Sequence, residues 1–289
     1  MKEQQERSRG AAGNDEVKTS IYKDLNQRDG ITEFVGYQDE ATLLESLPES
    51  WRTMPQAGDN YLVTKTSIRS LLHEHAEVSE GEAGQTLELI LSPTPFYGES
   101  GGQIGDEGAL FNAEGVLLGK VTTTQKPVDG LHVSTVELAE SLSAGDEVYA
   151  GYLPSMRREI RSHHSATHLL HDALKNVLGN HVQQAGSMVT HDRLRFDYSH
   201  FEAPTNEHLD NVESEVNAII ADAHDVVTEV LPFDEAKAKG AVALFGEKYG
   251  DKVRVVSMGP SIEFCGGTHA RNTGDIELCL ISRDEAIAS

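Results

Sequence analysis

Two short motifs in distant parts of the chain constrain its fold more than any other feature. Each carries two metal-binding side chains four positions apart: His164 and His168 in the first, Cys265 and His269 in the second. In a helix this spacing places both side chains on one face, about one turn apart. Three imidazoles and one thiolate suit Zn²⁺, which takes nitrogen and sulfur ligands. We therefore predict that the fold brings both pairs together in one functional zinc site.

The local sequence around each pair is consistent with this geometry. Residues 154–179 have apolar side chains at helical spacing, and we predict a helix there with Ser155 as its N-cap and Gly179 at its end. The two histidines flank the apolar stripe, so their rings should face the buried side. The second pair is separated by Gly266-Gly267, where the backbone can turn tightly after a strand.

Several kinds of histidine site remain possible from the residues alone. Buried structural histidines are common, so a single pair would be a modest signal. Ser165 stands where the metalloprotease motif HExxH has its glutamate, so protease chemistry is not expected. A structural site or another hydrolytic site remains. Structural zinc sites are usually cysteine-rich, so this histidine-rich set, with Thr167 nearby, favours an expandable site beside a substrate. We expect His163 to face solvent and His171 to be a packing residue.

Composition limits the function classes. The net charge of −23 argues against a general nucleic-acid binder but allows a site that grips one RNA end. Local basic clusters occur at Arg157, Arg158 and Arg161, at Arg193 and Arg195, and at Lys248, Lys252 and Arg254, although each can be an ordinary solvated face. Two cysteines cannot build a disulfide framework, and we expect Cys279 to be a sheet residue. No apolar run approaches the roughly 20 residues that span a bilayer, and we predict a cytoplasmic protein without a membrane partner.

The chain divides by pattern into three regions: a polar tail or helix remnant over 1–28, a β domain over 29–153 and an α+β core over 154–289. Short apolar runs separated by turn residues in the second region are typical of an antiparallel barrel or sandwich. They are Tyr61–Thr64, Thr86–Leu91, Ala109–Phe111, Val116–Leu118, His132–Val136 and Glu147–Tyr152. Four glycines within residues 101–108 favour a loop that approaches another group closely, a tight hairpin being the alternative.

In the third region we predict two helices packed on a mostly antiparallel sheet. A second amphipathic helix should begin at Thr205, and a shorter one should contain Lys237 to Phe245. The expected strands are Arg193–Tyr198, Val226–Leu231, Val253–Met258 and Ile276–Ile281.

The motifs resemble those of the editing domain of alanyl-tRNA synthetases, including the freestanding AlaX editing proteins. The resemblance rests on Thr94–Asp106, His164–His171, Gln184–Ser187, Arg195–His200, Ala238–Tyr249 and Cys265–Ala270. The related editing domain of threonyl-tRNA synthetases has similar HxxxH and CxxxH pairs, but the glycine-rich segment favours the alanyl family. The expected fold class is accordingly α+β: a small N-terminal antiparallel β-barrel followed by an α+β editing core.

The resemblance implies a function. The chain is expected to be a piece of a longer synthetase that hydrolyses the ester of Ser-tRNA(Ala) and Gly-tRNA(Ala), with Zn²⁺ held by the four motif residues. Its partners would be the acceptor end of tRNA(Ala) and the rest of the synthetase. Motifs for aminoacylation are absent from the sequence, so ATP binding and ligation would belong to the parent protein. The metal would either activate water or hold the amino group and ribose of the substrate; both remain open.

The resemblance also suggests roles for individual residues. Thr167 would hydrogen-bond the serine hydroxyl, unless it is simply a packed helix residue, and Gln184 would line the same pocket. Gly101, Gly102 and Gln103 would close over the terminal adenosine, and Arg195 would contact the tRNA end.

Overall fold

The computed structural model describes residues 19–52, 61–242 and 250–286. Among these residues no helix combines the length and apolar character that crossing a bilayer requires. They divide into two compact units: the residues up to Ser100 together with Ile104–Ser155, and Gly101–Gln103 together with the residues from Met156 onward.

The first unit is built around a closed antiparallel barrel. The strands of its main sheet are β1 Leu62–His73, β2 Ala76–Val78, β4 Thr86–Ser92, β5 Gly108–Phe111, β6 Leu117–Val128, β7 Leu131–Leu138 and β9 Glu147–Tyr152. The short strands β3 Glu80–Gly81 and β8 Leu142–Ser143 pair separately. The main sheet has the order β2-β1-β4-β7-β6-β5-β9, and β9 also pairs with β1, so six strands close on themselves. The predicted barrel is confirmed.

Alternating apolar side chains explain why these segments form a barrel. On β4, Leu87, Leu89 and Leu91 are buried together with Val136 of β7 and Val148 of β9 in one apolar core. Side chains of a strand alternate between its faces, so this spacing fills the barrel interior. Pairing of β1 with β9 closes the barrel, and successive residues of these two strands pair without a bulge.

Within residues 19–52, three helices accompany the barrel: α1 over residues 19–29, α2 Glu40–Glu45 and α3 Glu49–Arg52. On α1, Tyr22 and Leu25 are buried against an apolar cluster that includes Leu131 and Val133 of β7. This part of the segment that we expected to be a polar tail therefore contributes to the core. Two apolar residues one turn apart are too weak a pattern to have revealed it.

The second unit is an α+β arrangement. Its helices are α4 Pro154–Leu178, α5 Asn206–Ala221 and α6 Phe233–Ala238; β10 Gln183–Val189 and β11 Leu194–Ser199 form a hairpin, and β12 Val226–Pro232, β13 Lys252–Met258 and β14 Ser261–Phe264 form an antiparallel sheet. Apolar side chains of α4, α5 and β13, among them Leu169, Val216 and Val256, share one core. The predicted α+β class is confirmed, and Thr205 caps α5 as expected.

The strand predicted at Ile276–Ile281 is wrong. A 3-10 turn occupies Thr273–Ile276, and residues 277–286 have no regular structure. The backbone of Cys279 pairs instead with the amide side chain of Asn217 on α5, through bonds of 2.9 and 2.8 Å. Because a side chain satisfies this backbone, the segment needs no neighbouring strand. Cys279 is consequently not a sheet residue, and β14 is the third strand of the sheet.

Two helix boundaries also differ from the prediction. Helix α4 already begins at Pro154, so Ser155 lies in its first turn and is not its N-cap. Proline is well tolerated there because the first backbone N–H groups of a helix have no intrahelical partner. The helix expected from Lys237 to Phe245 is α6, which ends at Ala238, and the last part of that prediction falls outside the described residues.

Candidate metal centre

Helix α4 presents the first pair of candidate ligands. His164 and His168 are both buried, and their rings lie nearly parallel with centroids 5.3 Å apart. This is the arrangement expected of two residues one turn apart on the buried face of a helix. The predicted orientation of both rings toward the interior is confirmed.

A tight turn after β14 presents the second pair. A side chain at Gly267 would place its Cβ 2.0 Å from Cε1 of His164, so only glycine lets the backbone come this close. The backbone N–H of Gly267 donates to Sγ of Cys265 at 3.4 Å. Arg254 of β13 donates to the carbonyl oxygens of Cys265 and Gly267 at 2.8 and 2.9 Å. These contacts fix the turn from both sides.

The two pairs converge. The ligand atoms of His164, His168, Cys265 and His269 all lie within 4.8 Å of one another. Sγ of Cys265 is 3.4 Å from Nε2 of His164 and 3.2 Å from Nε2 of His269. Tetrahedral zinc with ordinary Zn–S and Zn–N bond lengths would separate S from N by about 3.5 Å. The cluster can therefore hold a metal, and its donors are those that zinc prefers.

An orphaned nitrogen supports this fit. Nε2 of His168 is buried, and among the described residues it makes no hydrogen bond of ordinary geometry. A buried polar atom without a partner is costly. A metal ion held between the four side chains would satisfy this atom.

The outer nitrogen of each imidazole has its own partner. Nδ1 of His164 lies 2.8 Å from Oε1 of Gln103, and Nδ1 of His168 lies 2.6 Å from Oε2 of Glu263. Nδ1 of His269 is 3.3 Å from Oγ of Ser165. Partners at Nδ1 orient a metal-binding imidazole so that Nε2 faces the ion. All three rings are held in this way.

The imidazoles also lower the pKa values of two acidic groups at the site, Cys265 and Glu263. Burial raises the pKa of the Cys265 thiol, but the adjacent imidazoles of His164, His269 and His168 outweigh it and hold that pKa well below its usual value. The thiolate is the form that binds metal. Burial likewise raises the pKa of Glu263, and the imidazoles of His168 and His171 bring it below the ordinary value of a glutamate.

The contacts of His171 and His163 differ from those that we expected. His171 is not merely a packing residue, since its Nδ1 donates to Oε1 of Glu263 at 2.8 Å while its ring packs near Phe196. His163 is half-buried and does not simply face solvent, because its Nδ1 lies 2.8 Å from the carbonyl oxygen of Thr190. Both rings are therefore held by hydrogen bonds of the second unit.

Thr167 and the glycine-rich residues occupy defined positions in the second unit. The Thr167 hydroxyl is buried and donates to the carbonyl oxygen of His163 at 2.8 Å. Gly101 and Gly102 both have positive φ, and a side chain at Gly102 would collide with Ser187, whereas Gly101 borders open space. Gln103 is wholly buried and contacts the candidate ligand His164.

Gln184 and Arg195 lie on the β10–β11 hairpin. The Gln184 amide donates to Oγ of Ser187 at 3.3 Å. Arg195 is exposed and pairs with Asp197 at 3.1 Å. No described contact joins either side chain to the four candidate ligands. That Gln184 lines the substrate pocket and that Arg195 contacts the tRNA end both stay predictions.

Sequence reasoning missed Glu263, Ser165 and Arg254 as supporting residues. For Glu263 a signal existed, because it precedes Cys265 by two positions at the end of a strand, where alternate side chains share a face. Ser165 and Arg254 carry no local signal, since their partners lie in distant segments.

Comparison with known protein families identifies the family to which the chain belongs. The family described as tRNA synthetases class II (A) matches residues 1–153, more than half of the chain. The chain belongs to the alanyl-tRNA synthetase family. A second family, the threonyl and alanyl tRNA synthetase second additional domain, matches residues 253–289, which include Cys265 and His269.

Relatives within the alanyl-tRNA synthetase family agree with this assignment. The alanine–tRNA ligase of Myxococcus xanthus is 45% identical over 291 residues, covering 100% of this chain and 30% of the relative. The alanine–tRNA ligase of Bradyrhizobium diazoefficiens is 43% identical over 284 residues, covering 93% of this chain and 29% of the relative. The chain thus spans less than a third of the length of these curated relatives.

Proposed function

We propose that this part of an alanyl-tRNA synthetase removes serine or glycine that has been wrongly attached to tRNA(Ala). The convergence of three imidazoles and one thiolate within 4.8 Å carries the proposal. Membership of the alanyl family supplies the substrate class, because its relatives are named alanine–tRNA ligases. The acceptor end of the mischarged tRNA(Ala) would be the partner, together with the rest of the synthetase.

A synthetase for alanine has a physical need for such an activity. A pocket shaped for alanine rejects the smaller glycine weakly, because one missing methyl group changes binding by only about 1–3 kcal/mol. An apolar pocket also rejects an added hydroxyl group weakly. A second site that hydrolyses the wrong products supplies the missing selectivity.

The four candidate ligands fit Zn²⁺ and would hold it. When bound, the ion supplies Lewis-acid chemistry, polarising a carbonyl oxygen or lowering the pKa of water. In the hydrolysis, the oxygen of water bonds to the ester carbon and the bond from that carbon to the ribose oxygen breaks. One proton of the water passes to the ribose oxygen, the other stays with the new carboxyl group until it ionises, and the free amino acid leaves.

Thr167 is the residue that we propose for recognising serine. Its hydroxyl hydrogen is used by the carbonyl of His163, so its oxygen lone pairs remain to accept a hydrogen bond from the serine hydroxyl. It sits one residue before the ligand His168 on α4. Gln184 would line the same pocket from β10.

The tRNA end would be held by groups that remain accessible. Gly101 is exposed, its backbone has a positive φ, and a Cβ there would meet no atom within 4 Å. Together with Gly102 it would close over the terminal adenosine. Arg195 is exposed on β11 and would meet the phosphate backbone.

A zinc-stabilised tRNA-binding module without catalysis is the second candidate. One observation favours it: the cluster offers four protein ligands, whereas catalytic zinc usually has three and an open position. Catalysis by this site would require expansion to five-coordination or displacement of one ligand.

Deacylation of defined tRNAs distinguishes these candidates. The zinc-loaded chain is incubated with Ser-tRNA(Ala), Gly-tRNA(Ala), Ala-tRNA(Ala) and Ser-tRNA(Thr), and ester loss is followed against buffer. We expect hydrolysis of the first two and sparing of the third. No rate above buffer would support the binding module, and preference for Ser-tRNA(Thr) would indicate a threonyl-type editor.

A further inference from the structure

The buried amide of Gln103 links the glycine-rich segment to the metal-binding residues. Gln103 has no exposed surface. Its side chain meets His164 on one side and Thr268 of the Cys-Gly-Gly-Thr-His turn on the other. We infer that Gln103 is a positioning residue of the metal centre, which fixes the tautomer of His164 and ties it to the turn that carries Cys265.

The orientation of the amide follows from its partners. The backbone N–H of Thr268 can only donate, and the Gln103 atom that faces it at 2.9 Å must therefore be the oxygen Oε1. The amide nitrogen then donates to Oγ1 of Thr268 at 3.0 Å. Both ends of the amide are satisfied in this orientation, and the flipped amide would set two donors against each other.

The tautomer of His164 follows in turn. The same oxygen of Gln103 lies 2.8 Å from Nδ1 of His164. An amide oxygen only accepts, so Nδ1 must carry a hydrogen, and in a neutral ring Nε2 then has the lone pair. Nε2 is the nitrogen that lies 3.4 Å from Sγ of Cys265. Gln103 thus holds His164 ready to bind a metal through Nε2.

The position of Gln103 is itself secured by the β10 strand. The carbonyl oxygen of Gly102 accepts from the N–H of Val189 at 2.7 Å, and Gln103 forms a parallel bridge with the same residue. Gly102 lies so close to Ser187 that a Cβ would come within 2.2 Å of its hydroxyl oxygen. The glycine at this position lets the main chain of the segment reach the hairpin.

The inference rests on the metal site of the proposed function, and zinc affinity tests it directly. Gln103→Met keeps the length of the side chain but removes the acceptor, whereas Gln103→Glu keeps an acceptor for both His164 and Thr268. Gln183→Met makes the same change at an exposed position of β10. Affinity is measured at fixed pH by competition with a chromogenic chelator, alongside the thermal midpoint of each metal-free variant.

We expect Gln103→Met to lose about 10–100-fold in zinc affinity, the usual cost of removing an outer partner of a metal-binding histidine. Gln103→Glu and Gln183→Met should stay close to the parent chain. Equal affinities of Gln103→Met and the parent, or equal losses in the Met and Glu variants, would overturn the inference. A parent chain that binds no zinc would overturn the metal site as well, and the deacylation assay tests catalysis separately.

A second measurement needs no variant. In the zinc-loaded parent chain labelled with ¹⁵N-histidine, the imidazole of His164 should carry its proton on Nδ1 and bind metal through Nε2. A metal-bound Nδ1 would overturn the inference even if every variant failed to fold.

Discussion

The Nδ1–H of His168 donates to Oε2 of Glu263 at 2.6 Å, inside the second unit. The other oxygen of this carboxylate accepts from Nδ1 of His171 at 2.8 Å. One buried carboxylate therefore orients a candidate metal ligand and a second imidazole that is not a ligand. A carboxylate in this position also increases the basicity of the metal-binding ring.

Glu263→Gln should weaken zinc binding by about 10–100-fold. The substitution removes the negative charge and sets an amide N–H against one of two imidazole N–H groups. Glu229→Gln, at the surface partner of Lys239, is the control and should leave the affinity unchanged. Chelator competition measures both, and an affinity of Glu263→Gln equal to that of the control would refute this role.

Gly267→Ala should disturb the centre far more than Gly266→Ala. At Gly267 the new methyl group would lie 2.0 Å from a carbon of His164, whereas at Gly266 it meets no atom within 4 Å. Overpacking of this kind costs about 1–3 kcal/mol. We expect a lower thermal midpoint and weaker zinc binding for Gly267→Ala only, and the same behaviour in both variants would count against the geometry of the turn.

Cys265→Ala should lose zinc affinity and deacylation together. A direct ligand is removed, so the loss of affinity should exceed the roughly 100-fold that an outer partner contributes. Cys279→Ala is the matched control, because the Cys279 backbone is held by Asn217 and its side chain lies outside the ligand cluster. Both variants are titrated with zinc and assayed on Ser-tRNA(Ala). Equal losses would contradict the assignment of Cys265.

The cluster of four candidate ligands could be predicted because each half of it is local. His164 and His168 are set by the period of one helix, and Cys265 and His269 by one glycine turn. Only the meeting of the two pairs had to be inferred, and the chemistry of the four side chains suggested it. The barrel could be predicted for the same reason, since the alternation of apolar and polar side chains along a strand is also a local pattern.

The partners that orient the imidazoles could not be predicted in the same way. Gln103 reaches His164 from a segment 61 positions away, and no spacing in the sequence announces that contact. The false strand at Ile276–Ile281 has a different cause. Its apolar pattern is that of a strand, but the side chains of Asn217 and Glu213 bind its backbone in place of a neighbouring strand.

His132 in the barrel should make stability depend on pH. Burial lowers its pKa from 6.5 to about 4, with Lys126 adding to the effect and Asp129 opposing it, and its Nδ1 lies 2.8 Å from Oγ1 of Thr32. The folded chain keeps this ring neutral where the unfolded chain takes up a proton. The stability that the neutral His132 ring gives the fold is therefore complete above about pH 6.5 and is lost as the pH falls toward about 4.

The stability difference between the parent chain and His132→Asn isolates this effect. Urea unfolding with a chelator present, so that metal binding does not contribute, should give a constant difference above pH 7. Between pH 6.5 and 4 the difference should shift by as much as about 3 kcal/mol in favour of the variant. A difference independent of pH would show that His132 titrates alike in both states.

X-ray absorption at the zinc edge tests the central claim most directly, because it counts the atoms bound to the metal. The zinc-loaded chain should show one sulfur at about 2.3 Å and three imidazole nitrogens at about 2.0–2.1 Å. Cys265→Ala should lose the sulfur. A zinc shell without sulfur, or a chain that retains no zinc at all, would contradict a single site built from His164, His168, Cys265 and His269.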